Sequence, residues 1–239
     1  MSQTDGALSG RIALVTGASR GIGRAVAARY AREGADLILT ARTVGALEEL
    51  DDEIRAINSK TSLLVPMDLR NFDTIDQLGA GLYERYGKLD VLVGNAGVLG
   101  QMSPLTHTDP AAWQEVIDVN LTANWRLIRS LDPLLRQSTA GRAIFVTSGA
   151  ARAPRAYWGG YAVSKAALEM LVGIYAQEIL QTSVRANLVD PGRTRTRMRA
   201  TAYPGENPDT LPAPEAVTEP FVRLARADYT GNGEVVRAY

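Results

Sequence analysis

Tyr161 and Lys165 lie four residues apart in Gly159-Gly160-Tyr161-Ala162-Val163-Ser164-Lys165. On a helix that spacing puts both side chains on one face. The chain has nine tyrosines and only three lysines (Lys60, Lys88 and Lys165) beside 23 arginines, so chance would yield about 0.1 such pairs in the whole chain. A phenol with its ordinary pKa of about 10 is a poor base at neutral pH. A neighbouring ammonium stabilises the phenolate and lowers that pKa. A surface pair has the same spacing. A lysine in a chain that otherwise uses arginine nevertheless favours an acid–base couple, because a guanidinium has a different shape and bond set. Ser148 follows the apolar run Ala143–Thr147 and precedes Tyr161 by 13 residues. A hydroxyl there can bond a carbonyl oxygen beside the proton donor; alone, it is equally a cap or turn residue.

The remaining composition narrows the chemistry further. There is one histidine, His107, and no cysteine. Disulfides, cysteine-held zinc, iron–sulfur clusters, thiol catalysis and multi-histidine metal sites are excluded. A histidine-based triad could use only His107, and Leu105-Thr106-His107-Thr108 reads as a solvated loop. The 26 basic and 26 acidic residues balance, which gives no electrostatic reason to bind nucleic acid. No apolar run reaches the length of a membrane span. Met1–Gly10 is polar and acidic and lacks the pattern of a signal peptide. A cytosolic setting with no membrane partner is expected.

Short apolar, β-branched runs alternate with amphipathic stretches, which predicts the elements that position these residues. Strands are expected at Arg11–Thr16, Asp36–Thr40, Ser62–Met67, Asp90–Val93, Ala143–Thr147 and Val184–Val189, with a short seventh at Glu234–Val236. Helices are expected at Gly21–Glu33, through Leu47, Leu50, Ile54 and Ile57, at Phe72–Tyr86, from Pro110 to about Arg136, at Gly159–Gln181 and at Pro214–Ala227. Continuous apolar strands alternating with helices argue for an α/β fold: a doubly wound, Rossmann-type parallel sheet of six to seven strands covered on both faces. No linker interrupts it, so residues 1–239 read as one domain. Pro191–Pro214 is the longest irregular stretch. It follows a strand and belongs at the carboxyl edge of the sheet, where open α/β folds bind ligands.

The first strand runs into Thr16-Gly17-Ala18-Ser19-Arg20-Gly21-Ile22-Gly23. Glycines at a strand-to-helix turn let the backbone approach a pyrophosphate, and the helix that follows offers free N–H groups. At the end of the second strand, where NAD binders carry an acid for the ribose hydroxyls, this chain has Ala41-Arg42. Arg42 and Arg20 could grip a 2′-phosphate, although either could be a solvated charge. NADP(H) is therefore favoured, with NAD(H) possible. Asp68, with Leu69 beside it, follows the third strand; the carboxylate could bond an adenine amino group or cap the next helix. Asn95-Ala96-Gly97 follows the fourth strand and could pass close to a ribose or form a plain turn.

Together, Thr16-Gly17-x-x-x-Gly21-x-Gly23, Asn95-Ala96-Gly97, Asn120, Ser148, Tyr161-x-x-x-Lys165 and Pro191-Gly192 resemble the motif set of short-chain dehydrogenase/reductases, in order and spacing, over about Leu8 to Gly231. The resemblance implies an oxidoreductase with Asn120, Ser148, Tyr161 and Lys165 as its catalytic set. Tyr161 would be the acid in carbonyl reduction and the base in alcohol oxidation. Lys165 would bind the nicotinamide ribose and depress the Tyr161 pKa. Ser148 would polarise the substrate oxygen, and Asn120 would hold a water relaying protons from Lys165. Gly17, Ser19, Arg20, Gly21, Ile22, Gly23, Arg42, Asp68, Leu69, Asn95, Ala96 and Gly97 would contact the cofactor, with Tyr161, Lys165, Pro191 and Gly192. Thr194 and Thr196 compete for a further nicotinamide contact. No metal is implied, and a homodimer or homotetramer is.

The run from Pro191 to Pro204 is similar to a bacterial branch of uncharacterised oxidoreductases, which names no substrate. Asp190 departs from the small or neutral residue that many relatives carry. Trp158 reads as a pocket wall or as packing. Arg152, Arg155 and the alternating Arg193, Arg195, Arg197 and Arg199 read as solvated rather than as contacts for an anionic substrate. The expected activity is NADP(H)-dependent interconversion of a small-molecule carbonyl and a secondary alcohol. One alternative is reduction of carrier-bound 3-oxoacyl thioesters, with Arg126, Arg129 and Arg136 docking an acidic carrier. Another is a non-catalytic nucleotide-binding regulator.

Overall fold

The computed structural model describes residues 6–239, so Met1–Asp5 of the polar start lie outside the described residues. In chain order the elements are β1 (Ile12–Thr16), α1 (Gly21–Arg32), β2 (Asp36–Ala41), α2 (Val44–Asn58), β3 (Leu63–Pro66), α3 (Phe72–Tyr86), β4 (Val91–Gly94), α4 (Pro110–Ile117), α5 (Ala123–Gln137), β5 (Arg142–Val146), α6 (Gly159–Glu178), β6 (Arg185–Asp190), α7 (Arg197–Ala202), α8 (Glu219–Ala225) and β7 (Val235–Arg237).

The strands form one parallel sheet in the order β3-β2-β1-β4-β5-β6-β7. Alternation along β1 divides the core between the two faces. Leu14 packs with Leu82, Leu131 and Leu168 from α3, α5 and α6. Ala13 and Val15 pack with Tyr30, Leu50 and Phe221 from α1, α2 and α8. The strand order reverses between β1 and β4, which opens a crevice at their carboxyl ends.

Three expectations change. The helix expected from Pro110 to Arg136 is interrupted by a π-helical turn, Asp118–Thr122, between α4 and α5. Its wider spacing turns Val119 and Asn120 into the interior, and Asn124 Nδ2 donates to the Asn120 carbonyl (2.8 Å). Pro191–Pro214 is not wholly irregular. Thr196 accepts the Arg199 N–H (3.1 Å) and caps α7, so the arginines from 193 to 199 do not lie along one extended face. The last helix begins later than expected, because Pro214–Val217 is a 3₁₀ turn ahead of α8.

Candidate active site

A cleft of about 470 Å³ runs along the carboxyl edge of the sheet. Every site residue expected from the sequence lines it except Gly23 and Asn120. Those two lie behind the wall.

At one end the β1–α1 turn and the β4 turn are joined. Thr16 Oγ1 donates to the Val93 carbonyl and accepts the Asn95 and Ala96 N–H groups (3.0 Å each). Asn95 Nδ2 donates to the Thr16 carbonyl (2.8 Å). Gly17 has φ +65°, and a Cβ at Gly23 would overlap both the Gly17 carbonyl and the Asn95 amide. Hence only glycine fits at 23. No side chain caps α1 at Arg20, and its first turn has no acid. Its free N–H groups and dipole therefore face the cleft uncompensated. Arg20 and Arg42 line the same end, and neither forms an ion pair among the described residues. A cradle without side chains, a positive helix end and two available guanidinium groups fit a dinucleotide diphosphate.

Asp68 lines this end, but Arg70 holds both its oxygens. The Arg70 hydrogen bonds push the Asp68 carboxyl down. Asp68 does not cap α3; Asn71 does, accepting the Thr74 N–H.

At the other end stand Ser148, Tyr161 and Lys165. Ser148 follows β5, and its Oγ accepts the Ala150 N–H (3.2 Å). Lys165 is buried, donates to the Val146 carbonyl (2.8 Å) and lies 5.9 Å from the Tyr161 ring centre. Burial pushes its pKa down to about 8. Burial raises the Tyr161 phenol, the Ser148 hydroxyl opposes that rise, and Asp190 adds to it.

Asn120 is fully buried behind the cleft wall. Its Oδ1 accepts the Val98 N–H (2.8 Å), and its Nδ2 donates to the Val98 carbonyl (2.9 Å) and to Ser164 Oγ (3.0 Å). The side chain clamps the turn after Gly97.

Trp158 lines the cleft, edge-on to Tyr161 (5.8 Å) and packed on Tyr203 (5.7 Å). Thr194 donates to the Pro191 carbonyl (3.0 Å), while the Thr196 methyl lies nearest Gly21; both line the cleft. His107 is exposed, bonded to Thr106 and outside the cleft. Arg152 is exposed, as expected, but it also pairs with Glu169 and Asp190. Arg199 pairs with Glu206. Of the arginines considered for carrier docking, Arg126 pairs with Asp76 and Arg136 with Asp132. Sequence reasoning missed Leu99, Met198, Ala202 and Pro214, apolar residues that complete the wall. Leu99 and Pro214 lie outside the strands and α-helices, and Met198 and Ala202 in the short, arginine-rich α7, so none carries a periodic signal. Among the described residues no cluster of potential metal ligands occurs and no helix is long and apolar enough to cross a membrane.

A family model described as short chain dehydrogenase matches residues 11–207. The chain belongs to the short-chain dehydrogenase family. An uncharacterized oxidoreductase of Escherichia coli strain K12, YciK, is 39% identical over 223 residues, covering 92% of this chain and 88% of that protein. An uncharacterized NAD-dependent oxidoreductase of Mycobacterium tuberculosis is 36% identical over 211 residues, covering 83% of this chain and 76% of that protein. A short chain dehydrogenase of Shigella flexneri 2a, solved in complex with NADP, superposes with a TM-score of 0.95 at 36% identity, covering 98% of this chain and 99% of that one.

Proposed function

We propose that this short-chain dehydrogenase interconverts a small-molecule carbonyl and a secondary alcohol with NADP(H). The observation that carries the reading is one cleft with Ser148, Tyr161 and Lys165 at one end and the uncapped α1 N-terminus with Arg20 and Arg42 at the other. The nicotinamide, when bound, supplies or accepts the hydride. Tyr161 donates the proton to the carbonyl oxygen in reduction and removes it in oxidation. Its raised pKa suits the acid role. Ser148 holds the same oxygen. Lys165 carries positive charge at neutral pH and would meet the ribose hydroxyls. Asn120 acts at one remove, by fixing Gly97 and Val98. Gly17, Gly21 and Ile22 would hold the diphosphate, Leu69 and Asp68 would flank the adenine, and Asn95 to Gly97 with Pro191, Gly192, Thr194 and Thr196 would flank the nicotinamide half.

Arg20 and Arg42 would bind the 2′-phosphate. The NADP complex of the Shigella protein supports that choice, while the name of the Mycobacterium protein keeps NAD(H) as a second cofactor. Val163, Met170 and Ile174 on α6 and Trp125 on α5 are exposed apolar residues, which supports a homo-oligomer built on these helices. The cysteine-free composition suits the reducing cytosol.

The test is an NADPH-oxidation screen over ketones, aldehydes, quinones and acyl thioesters. Tyr161→Phe should abolish turnover while NADPH still binds; turnover unchanged by that substitution overturns the mechanism. Arg42→Ala should weaken NADPH roughly tenfold or more, the value of a lost charged hydrogen bond, and leave NADH almost unaffected. Equal losses for both cofactors would remove the phosphate role.

A further inference from the structure

Arg152 lies between Ser148 and Tyr161 in sequence, and its guanidinium joins three elements. Nη1 donates to Glu169 Oε1 (2.6 Å) on α6, and Nη2 to Asp190 at the end of β6. Glu169 Oε1 also accepts the Thr147 hydroxyl (2.7 Å), one residue before Ser148. Asp190 Oδ1 accepts the Gly192 N–H (3.1 Å), which shapes the Pro191–Gly192 turn. Glu169 is four residues beyond Lys165 and eight beyond Tyr161, so all three lie along one stripe of α6. The carboxylates are largely shielded, with Asp190 8% and Glu169 18% exposed. Asp190 Oδ2 comes within 3.7 Å of a Cβ built on Gly149, the residue after Ser148. It therefore stands beside the Ser148–Gly149 turn, and its charge acts on the Tyr161 phenol.

We propose that Arg152 is a positioning residue of this site. Its guanidinium locks together the segments that deliver Ser148, Tyr161 and the Pro191–Gly192 turn, and it neutralises the carboxylate that stands beside the phenol. An acid directly before Pro191 would otherwise place an uncompensated charge next to a group that must pass through its anionic form. Asp190 and Arg152 act as a pair, and the departure at position 190 is matched by the arginine at 152.

The charged and polar groups around Tyr161 are few. Lys165 and Glu169 come from α6, Asp190 from β6, and Arg152 and Ser148 from the loop after β5. Trp158 is neutral. Beyond it Arg199 is held by Glu206, and at the cleft edge Arg195 faces Asp209. Arg152, Glu169 and Asp190 together carry one net negative charge. Arg152→Gln makes that two, Asp190→Asn makes it none, and the double variant restores one.

The inference rests on Tyr161 as the proton carrier, and its test needs no substrate. Placing 3,5-difluorotyrosine at position 161 lets fluorine NMR follow that phenol alone through its titration, with and without NADP+. Arg152→Gln should move the midpoint up by about one pH unit, the effect of an unpaired charge at close range. Asp190→Asn should move it down, and the double variant should return it close to the starting value. A clip that only holds the fold would lower the melting temperature and leave the midpoint unmoved, which overturns the proposal. Should Arg152→Gln fail to fold, Asp190→Asn decides alone, because an unmoved midpoint there also overturns it. Failure of the oxidoreductase reading would show separately, as turnover unchanged in Tyr161→Phe.

Discussion

Truncating Asn120 to alanine removes a side chain with no solvent exposure and three hydrogen bonds. The Val98 N–H and carbonyl lose their partner together, while Ser164 keeps its bond to the Tyr161 carbonyl (2.8 Å). A buried polar group left unpaired costs about 1–3 kcal/mol, so the two backbone groups together cost roughly 2–6 kcal/mol. In a chain of this size each kcal/mol lowers Tm by about 2–4 °C, giving an expected fall of roughly 4–24 °C. Differential scanning calorimetry reads the fall, and hydrogen exchange localises it, because the Val98 amide should lose protection before the core strands do. Asn120→Asp should rescue little: its second oxygen would face the Val98 carbonyl, acceptor against acceptor. A Tm within about 2 °C of wild type, with the Val98 amide still protected, would refute the clamp.

Two further outcomes follow from the same geometry. Burial moves Lys165 from 10.5 to about 8, so between those values the folded state binds fewer protons than the unfolded one. Its charge opposes folding fully below pH 8 and not at all above 10.5. Urea titrations should show the stability of wild type relative to Lys165→Met falling by roughly 3 kcal/mol as pH is lowered from 10.5 to 8, then levelling; a flat difference would contradict the burial argument. Gly23→Ala forces a methyl into the Gly17 carbonyl and the Asn95 amide. It should cost about 1–3 kcal/mol of overpacking and weaken NADPH binding measured by fluorescence titration; wild-type values for both would mean that the turns can part.

Much of the site could be read from the sequence because its chemistry sits where strands end. Ser148 and the turns after β1 and β4 are punctuated by residues whose types announce a turn, and Tyr161 and Lys165 share a face by spacing alone. The π-helical turn at Asn120 left no such mark. Hydrophobic periodicity runs through Val116, Val119, Ala123 and Leu127 without a break, and only the tertiary bonds to Val98 reveal the wider turn. Helix α7 was hidden for the opposite reason: six residues rich in arginine have no apolar stripe, and the Thr196 cap does the work. The Arg152–Asp190 pair joins positions 38 residues apart, a distance over which a single sequence carries no pairing signal. Asp68 shows a local rival winning, since Arg70 two residues on takes its carboxylate before any helix can.

The glycine at position 23 has a mechanical consequence. With no side chain there, two turns more than 70 residues apart in sequence are bolted to each other through Asn95, and neither can move without breaking the other's bonds. The floor of the cleft is thus a single stiff plate. Docking on that plate forfeits little conformational freedom, so accommodation to ligands of different shape falls to the opposite wall, the segment from Arg193 to Pro214, which is joined to the sheet at far fewer points.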